Sequence, residues 1–290
     1  MQFATEKKTT QLVEALAKIA ESGQVNLIQL QSFKQNAQQL RNASVPDSDM
    51  IYGAIASIEG DENEMRRRHK NSIAYSGGDA FYIGNYAASL WNMLFVKEAA
   101  DKFYEAFLKS DRTALKDLHS AISLTLVSGY IKEAHSVFQK HAGLLLSSQN
   151  HISSNLVGLQ AIYDASQDGS FDLDSFKLKM NIVFERMRSK GMRGVKHSVS
   201  KEEIDDESWW RLTFCAHLRE DEIIDLECDI NEQLTAQDLD CIEDGFVEIL
   251  IESRDSEYQD LLEKIDKKVE MGNLIPLNVD LINRAQEALN

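Results

Sequence analysis

The run Phe95-Val96-Lys97-Glu98-Ala99, followed by Phe103, returns thirty-five residues later as Tyr130-Ile131-Lys132-Glu133-Ala134, followed by Phe138. A unit recurring at that period is a pair of helices too small to hide its own apolar face, so successive copies must stack side by side. Stacked pairs generally hold partners instead of performing chemistry. The repeat therefore points towards an interaction protein with a mainly helical fold.

The rest of the composition agrees. With only 2 prolines and 14 glycines in 290 residues, few positions force a helix to break, which disfavours a turn-rich β fold. No window of about eighteen apolar residues exists, and the opening Met1-Gln2-Phe3-Ala4-Thr5-Glu6-Lys7-Lys8 lacks the apolar stretch of a signal peptide. Cys215, Cys228 and Cys241 form an odd set without metal-like spacing, where a secreted disulfide framework would use an even one. The expectation is a soluble, unsecreted chain in a reducing cytoplasm.

Charge is distributed unevenly. The net −16 is made up of +2 over residues 1–45, −2 over 46–150 and −16 over 151–290. Within the last part, Lys177 to Lys201 carries +7, and Glu202 to Asp260, which immediately follows, carries −18. Such an asymmetry predicts a change of domain near residue 190 and an acidic surface suited to a basic partner. The basic stretch, with Arg186, Arg188, Arg193 and Lys196, is the better of two candidates for nucleic-acid contact. Self-association with the acidic surface competes with that reading, and nucleic acid is not the expected partner. The other candidate, Arg66-Arg67-Arg68-His69-Lys70, reads as a solvated helix face.

Apolar residues at three-and-four spacing define five hairpins over residues 8–190: Leu12 to Ile19 with Leu27 to Leu40, Met50 to Ile58 with Met65 to Ile73, Phe81–Trp91 with Phe95–Leu108, Leu115–Val127 with Ile131–Leu146, and Leu156–Tyr163 with Phe171–Met187. After residue 193 the period changes. Ser208 to Leu218 alternates as a strand, Val195, His197 and Val199 suggest another, Ile223, Leu226, Ile230 and Leu234 return to helical spacing, and Phe246 to Ile251 reads as a third strand. The predicted fold is an α-hairpin solenoid (1–190) followed by a small acidic α+β domain with C-terminal helices (191–290).

The middle hairpins, residues 46–148, resemble tetratricopeptide repeats. Repeat two carries that family's small and aromatic positions in Ala87, Ala99, Phe103 and Ala106. Repeat three keeps Ala134 and Phe138 but has Ile122 and His141, and repeat one keeps Gly53 with Met65, His69 and Ser72. The resemblance implies a peptide-holding groove lined by the first helix of each hairpin, with Asn85, Trp91 and Asn92 from repeat two and Lys116, His119 and Ser123 from repeat three turned inward. Some members clamp a partner's terminal carboxylate at five positions. Asn85 and Lys116 match two of these, while Met50, Ala54 and Ser120 do not match the others.

Asp164-Ala165-Ser166-Gln167-Asp168-Gly169-Ser170-Phe171-Asp172 resembles an EF-hand loop, which implies calcium held by Asp164, Ser166, Asp168 and Asp172. The bidentate carboxylate at the twelfth position is replaced by Ser175. No nucleophile elbow, phosphate loop or paired metal ligands appear, and His217 with Glu220 and Asp221 is the one acid-base grouping. The functional expectation is a non-catalytic adapter whose groove holds a peptide or helix and whose acidic domain docks a basic protein, with Trp209 exposed as an anchor. Two rivals are an acidic, antitoxin-like inhibitor that imitates nucleic acid and a non-catalytic subunit of an enzyme.

Overall fold

The computed structural model describes residues 2–23, 25–147, 154–204, 207–239 and 247–253. Among these are ten consecutive packed helices, with α4 on α3, α6 on α5 and α8 on α7 and with α1 and α2 both against α3: α1 (Gln2–Ser22), α2 (Leu27–Leu40), α3 (Val45–Glu59), α4 (Glu62–Tyr75), α5 (Ala80–Asn92), α6 (Val96–Lys109), α7 (Leu115–Val127), α8 (Ile131–Ser147), α9 (Ser154–Asp168) and α10 (Leu173–Ser189). Strands β1 (Lys196–Ile204) and β2 (Glu207–Ala216), helix α11 (Glu220–Thr235) and strand β3 (Val247–Ser253) follow. The helices expected over 256–290, and Cys241, lie outside the described residues.

Local chemistry sets the helix ends. Asn26 accepts bonds from the Ile28 and Gln29 amides, Ser44 from Asp47, Asp61 from Glu64 and Asp79 from Phe81, each using a side-chain oxygen where the first turn has unsatisfied N–H groups. Pro46 sits in the first turn of α3, where its missing donor costs nothing.

The turn inside each hairpin carries a left-handed residue: Gly23, Gly60, Leu94, Gly129 and Gly169 all have positive φ. Leu94 is the exception in chemistry. A leucine at φ 60° is strained, and its side chain, fully buried in the core, offsets that strain.

The repeated motif now has a structural meaning. Phe95 and Tyr130 follow their hairpin turns, and the small Ala99 and Ala134 are fully buried where the helices of a pair approach. The polar residues of the motif form a ladder from one repeat to the next. Arg66 reaches both oxygens of Glu98 at 2.6 and 3.0 Å, and Lys97 reaches Glu133 at 2.9 Å. Arg66 holds the Glu98 carboxyl below its ordinary range.

β1 pairs antiparallel with β2, and β2 pairs parallel with β3 across α11, in the order β1-β2-β3. One face of this sheet, with Val199, Trp210, Leu212, Phe214, Val247, Ile249 and Ile251, is buried. Phe184 of α10 meets Phe214 edge-on at 5.3 Å, and Gly158 of α9 lies so close that an added Cβ would come within 2.7 Å of Val199. A single apolar core thus runs from Ala56 of α3 through α10 into the sheet and α11, crossing residue 190 without a break. A second cluster joins α1, α2 and α3.

Candidate functional site

The residues the sequence assigned to a groove divide into two groups. Lys116 is exposed, and Asn85 is half-buried with its amide donating to Phe81 O of its own helix. Trp91, Asn92 and His119 instead face the chain's own C-terminal part. Asn92 is buried, donates from Nδ2 to Ser57 O at 3.1 Å and to Ser57 Oγ at 3.3 Å, and accepts from Gly194 N at 3.0 Å. Its expected role in partner contact is therefore corrected: both ends of the amide are satisfied inside the fold. The Trp91 ring meets Phe184 edge-on at 6.5 Å and His197 at 5.2 Å. Ser123 Oγ and His197 Nε2 are 2.8 Å apart, and burial beside His119 holds His197 down to about 4. Burial also lowers His119.

These contacts belong to a longer seam. The chain returns down the stack and meets four hairpin turns in reverse order, with a basic or imidazole side chain at each. Lys177 lies against Gly129, where a Cβ would approach its Cα to 2.5 Å, and its ammonium sits 4.2 Å from the centre of the Tyr130 ring. Arg188 donates to Leu94 O at 3.0 Å and stacks over Phe95 at 5.1 Å, opposite Arg66 at 4.5 Å. Arg193 lies against Gly60, with Nη2 3.1 Å from where a Cβ would stand. His217 reaches Glu21 O at 3.0 Å beside Gly23.

The first helix of a hairpin ends at each of these turns, exposing carbonyls and the negative end of its dipole. Cations placed there are worth about 0.3–1 kcal/mol each, and cation–π contact adds about 0.5–1 kcal/mol at partly exposed rings. This accounts for part of the +7 segment, while Lys190, Lys196 and Lys201 remain exposed. Lys177, Arg188 and Arg193 are turned onto the stack, Lys179 is buried, and Arg186 lies 3.7 Å from Asp229. The His217 ring lies at the end of α1, 3.0 Å from Glu21 O. Four residues of the Arg66–Lys70 run are likewise engaged: Arg66 with Glu62 and Glu98, Arg67 with Glu64, Arg68 with Asp49 and Glu64, and His69 with Ser89 at 2.8 Å.

The calcium loop is corrected too. Asp164 and Ser166 lie inside α9, not in a loop. Asp164 accepts from Gln160, Ser166 donates to Tyr163 O, Asp168 accepts from Ser170 N, and Asp172 caps α10 while accepting from Ser175. A helix spreads such side chains around its surface, so they cannot converge on one ion. No group of metal ligands occurs among the described residues.

Two surfaces of the C-terminal part face outward. On the open side of the sheet, Glu248 Oε2 accepts from Trp209 Nε1 at 2.9 Å and Arg211 Nε at 2.6 Å, and Glu202 stands 3.6 Å from Arg211. Burial works against ionisation of Glu248, and the bonds from Arg211 and Trp209 outweigh it and keep its carboxyl low. Trp209 is half-buried while its neighbour Trp210 is core, as opposite faces of a strand require. The second surface is α11, which buries Ile223, Leu226, Ile230 and Leu234. Outward it presents Ile224, which is 59% exposed, with Glu220 and Asp221 one turn before it and Asp225 and Glu232 beyond, while Glu222 turns back to Arg219. Sequence reasoning missed Ile224, although its place just outside the three-and-four spacing of the buried set was a visible signal.

No helix among the described residues is long and apolar enough to cross a membrane. Neither a protein-family model nor a curated protein nor a solved structure matches the chain. The tetratricopeptide resemblance rests on its residue pattern, and the structure supports the coarser statement of consecutively packed helices.

Proposed function

We propose that this chain is a non-catalytic protein-interaction adapter, and that its docking surface for a basic partner is the outer face of α11. One observation carries the reading: Ile224 stands exposed amid carboxylates, and Glu220, Asp225 and Glu232 make no ion pair among the described residues. An apolar anchor beside unpaired carboxylates combines contact area with long-range attraction, which speeds encounter and orients the partner. The inward engagement of Trp91 and Asn92 removes two anchors from the groove that the repeat pattern suggested. Docking on α11 leaves the helical stack as the scaffold that fixes this helix in place.

The test compares capture from the native host by wild-type chain, by Ile224→Asp and by Glu220→Lys with Asp225→Lys. Proteins held by wild type, lost with both variants and released by raised salt support the reading. Recovery of the same set by all three chains overturns it. A captured protein that DNA displaces from the same surface would favour the nucleic-acid-mimic alternative.

A further inference from the structure

Carboxylates that lie half-buried or deeper in this fold are met by a donor or a cation, with one exception among the described residues. Asp47 accepts from the Thr9 and Tyr82 hydroxyls, Asp49 from Arg68 at 2.6 Å, Glu248 from Trp209 and Arg211, and Glu252 from the Cys215 thiol at 3.8 Å. Asp117, in the first turn of α7, is half-buried and has neither a hydrogen bond nor an ion pair among the described residues. The exposed Lys116 acts on it only through space, and burial outweighs that help and holds the carboxyl above its ordinary range. A polar group left in this state calls for an explanation, because unpaired burial costs stability.

The surroundings of Asp117 are built from small residues. Its Oδ2 lies 3.6 Å from where a Cβ on Gly84 of α5 would stand, and the Ala106 Cβ of α6 lies 3.8 Å from the same point. Neither residue carries charge. Gly84 is not left-handed, so its backbone does not require glycine, and a glycine within a helix is less stable than alanine. A longer side chain there would lie across the carboxylate. Phe81, 45% exposed, and the exposed Ala88 stand one turn to either side on the same face of α5.

We infer that Asp117 is a contact site for an arginine side chain of a partner protein, on the helical stack and separate from α11. A carboxylate without a counter-charge takes a cation, and a guanidinium can give it two parallel bonds while lying flat on an aromatic ring such as Phe81. The chain uses this combination twice within itself. Arg66 binds Glu98 while lying 4.5 Å from the centre of the Phe95 ring, and Arg68 binds Asp49 while lying 4.6 Å from that of Tyr52. At Asp117 the ring comes from α5 and the carboxylate from α7, and the cation is the partner's. The net charge of −16 draws a basic protein towards this surface as it does towards α11.

NMR on the full chain tests this with N-acetyl-arginine amide at constant ionic strength. Amide signals of Phe81, Gly84, Asn85 and Asp117 should shift and saturate, and the neutral N-acetyl-citrulline amide should leave them in place. Asp117→Asn should weaken the binding by about tenfold or more, and so should Gly84→Leu, which keeps the carboxylate and covers it. Ile224→Asp should bind the probe like wild type. A thermal melt reads the same site without a ligand. At pH 7 Asp117→Asn should melt above wild type, and the gap should close as pH falls below the ordinary carboxylate value, where folded and unfolded chains are both protonated. A lower Tm for Asp117→Asn at pH 7 overturns the inference, as do arginine shifts that Asp117→Asn leaves undiminished or that appear on α11 alone. Free arginine should bind no tighter than the capped form; a gain of about tenfold would assign the site to the amino acid and overturn the partner's side chain as its occupant.

Discussion

Replacing Asn92 by alanine separates a residue built into the fold from one open to a partner. In the structure the substitution removes two bonds donated to Ser57 and the acceptor of the Gly194 amide, all in the seam between α5, α3 and the segment leading to β1. Truncation leaves the Ser57 carbonyl and the Gly194 N–H without their partner, at about 1–3 kcal/mol for each buried group. The total is about 3 kcal/mol, which for a chain of this length lowers Tm by about 6 °C or more.

Urea and thermal unfolding followed by circular dichroism would measure it. Asn92→Asp keeps an acceptor for Gly194 but sets a buried carboxylate against the Ser57 carbonyl, so it should destabilise at least as much as alanine. Asn85→Ala serves as the reference. That amide bonds only within its own helix, and alanine is the better helix former, so stability should change by less than about 0.5 kcal/mol. If Asn92→Ala stays within about 0.5 kcal/mol of wild type, the seam contributes no such stability and the placement of residues 192–199 against the stack is wrong.

Acidification should weaken the seam through His197. Its folded value of about 4 lies below the ordinary 6.5, so the unfolded chain binds more protons between those values. The contribution is complete above pH 6.5 and is lost as pH falls towards 4, with a slope approaching about 1.4 kcal/mol per pH unit. His197→Gln should flatten that part of a urea-stability profile, and an unchanged slope would contradict the assignment. Gly194→Ala should destabilise more than Asn92→Ala, because at φ 61° the added Cβ would stand 2.0 Å from Ala20 O, and chevron analysis should find it unfolding faster. Calcium at millimolar concentration should leave the melting curve of the full chain where chelator leaves it, since Asp164 and Ser166 are helical; a rise in Tm would restore the loop reading.

The hairpins, the strand of alternating residues around Trp210 and the spacing of Ile223, Leu226, Ile230 and Leu234 were all legible, because each is a periodicity carried by neighbouring residues. The motif shared by Phe95 and Tyr130 marked the repeat before any coordinates did. What covers each face was not legible. Periodicity placed Trp91 and Asn92 on the inner side of their helix, but the residues that meet them, His197 and Gly194, come about a hundred positions later. The roles of the basic stretch were hidden for the same reason: the helix ends that Lys177, Arg188 and Arg193 meet, at Gly129, Leu94 and Gly60, lie far earlier in the chain. The aspartates near Gly169 misled differently. A ligand pattern and a capped helix junction use the same residue types, and α9 runs on to Asp168.

The seam closes in reverse order of synthesis: Gly129 meets Lys177, Leu94 meets Arg188, Asn92 meets Gly194, and Glu21 waits for His217. At elongation rates of about 5–20 residues per second, the interval between Asn92 leaving the ribosome and Gly194 following it is roughly 5–20 s. For that time the flank of the nascent stack holding Trp91 lacks the later residues that cover it in the finished fold.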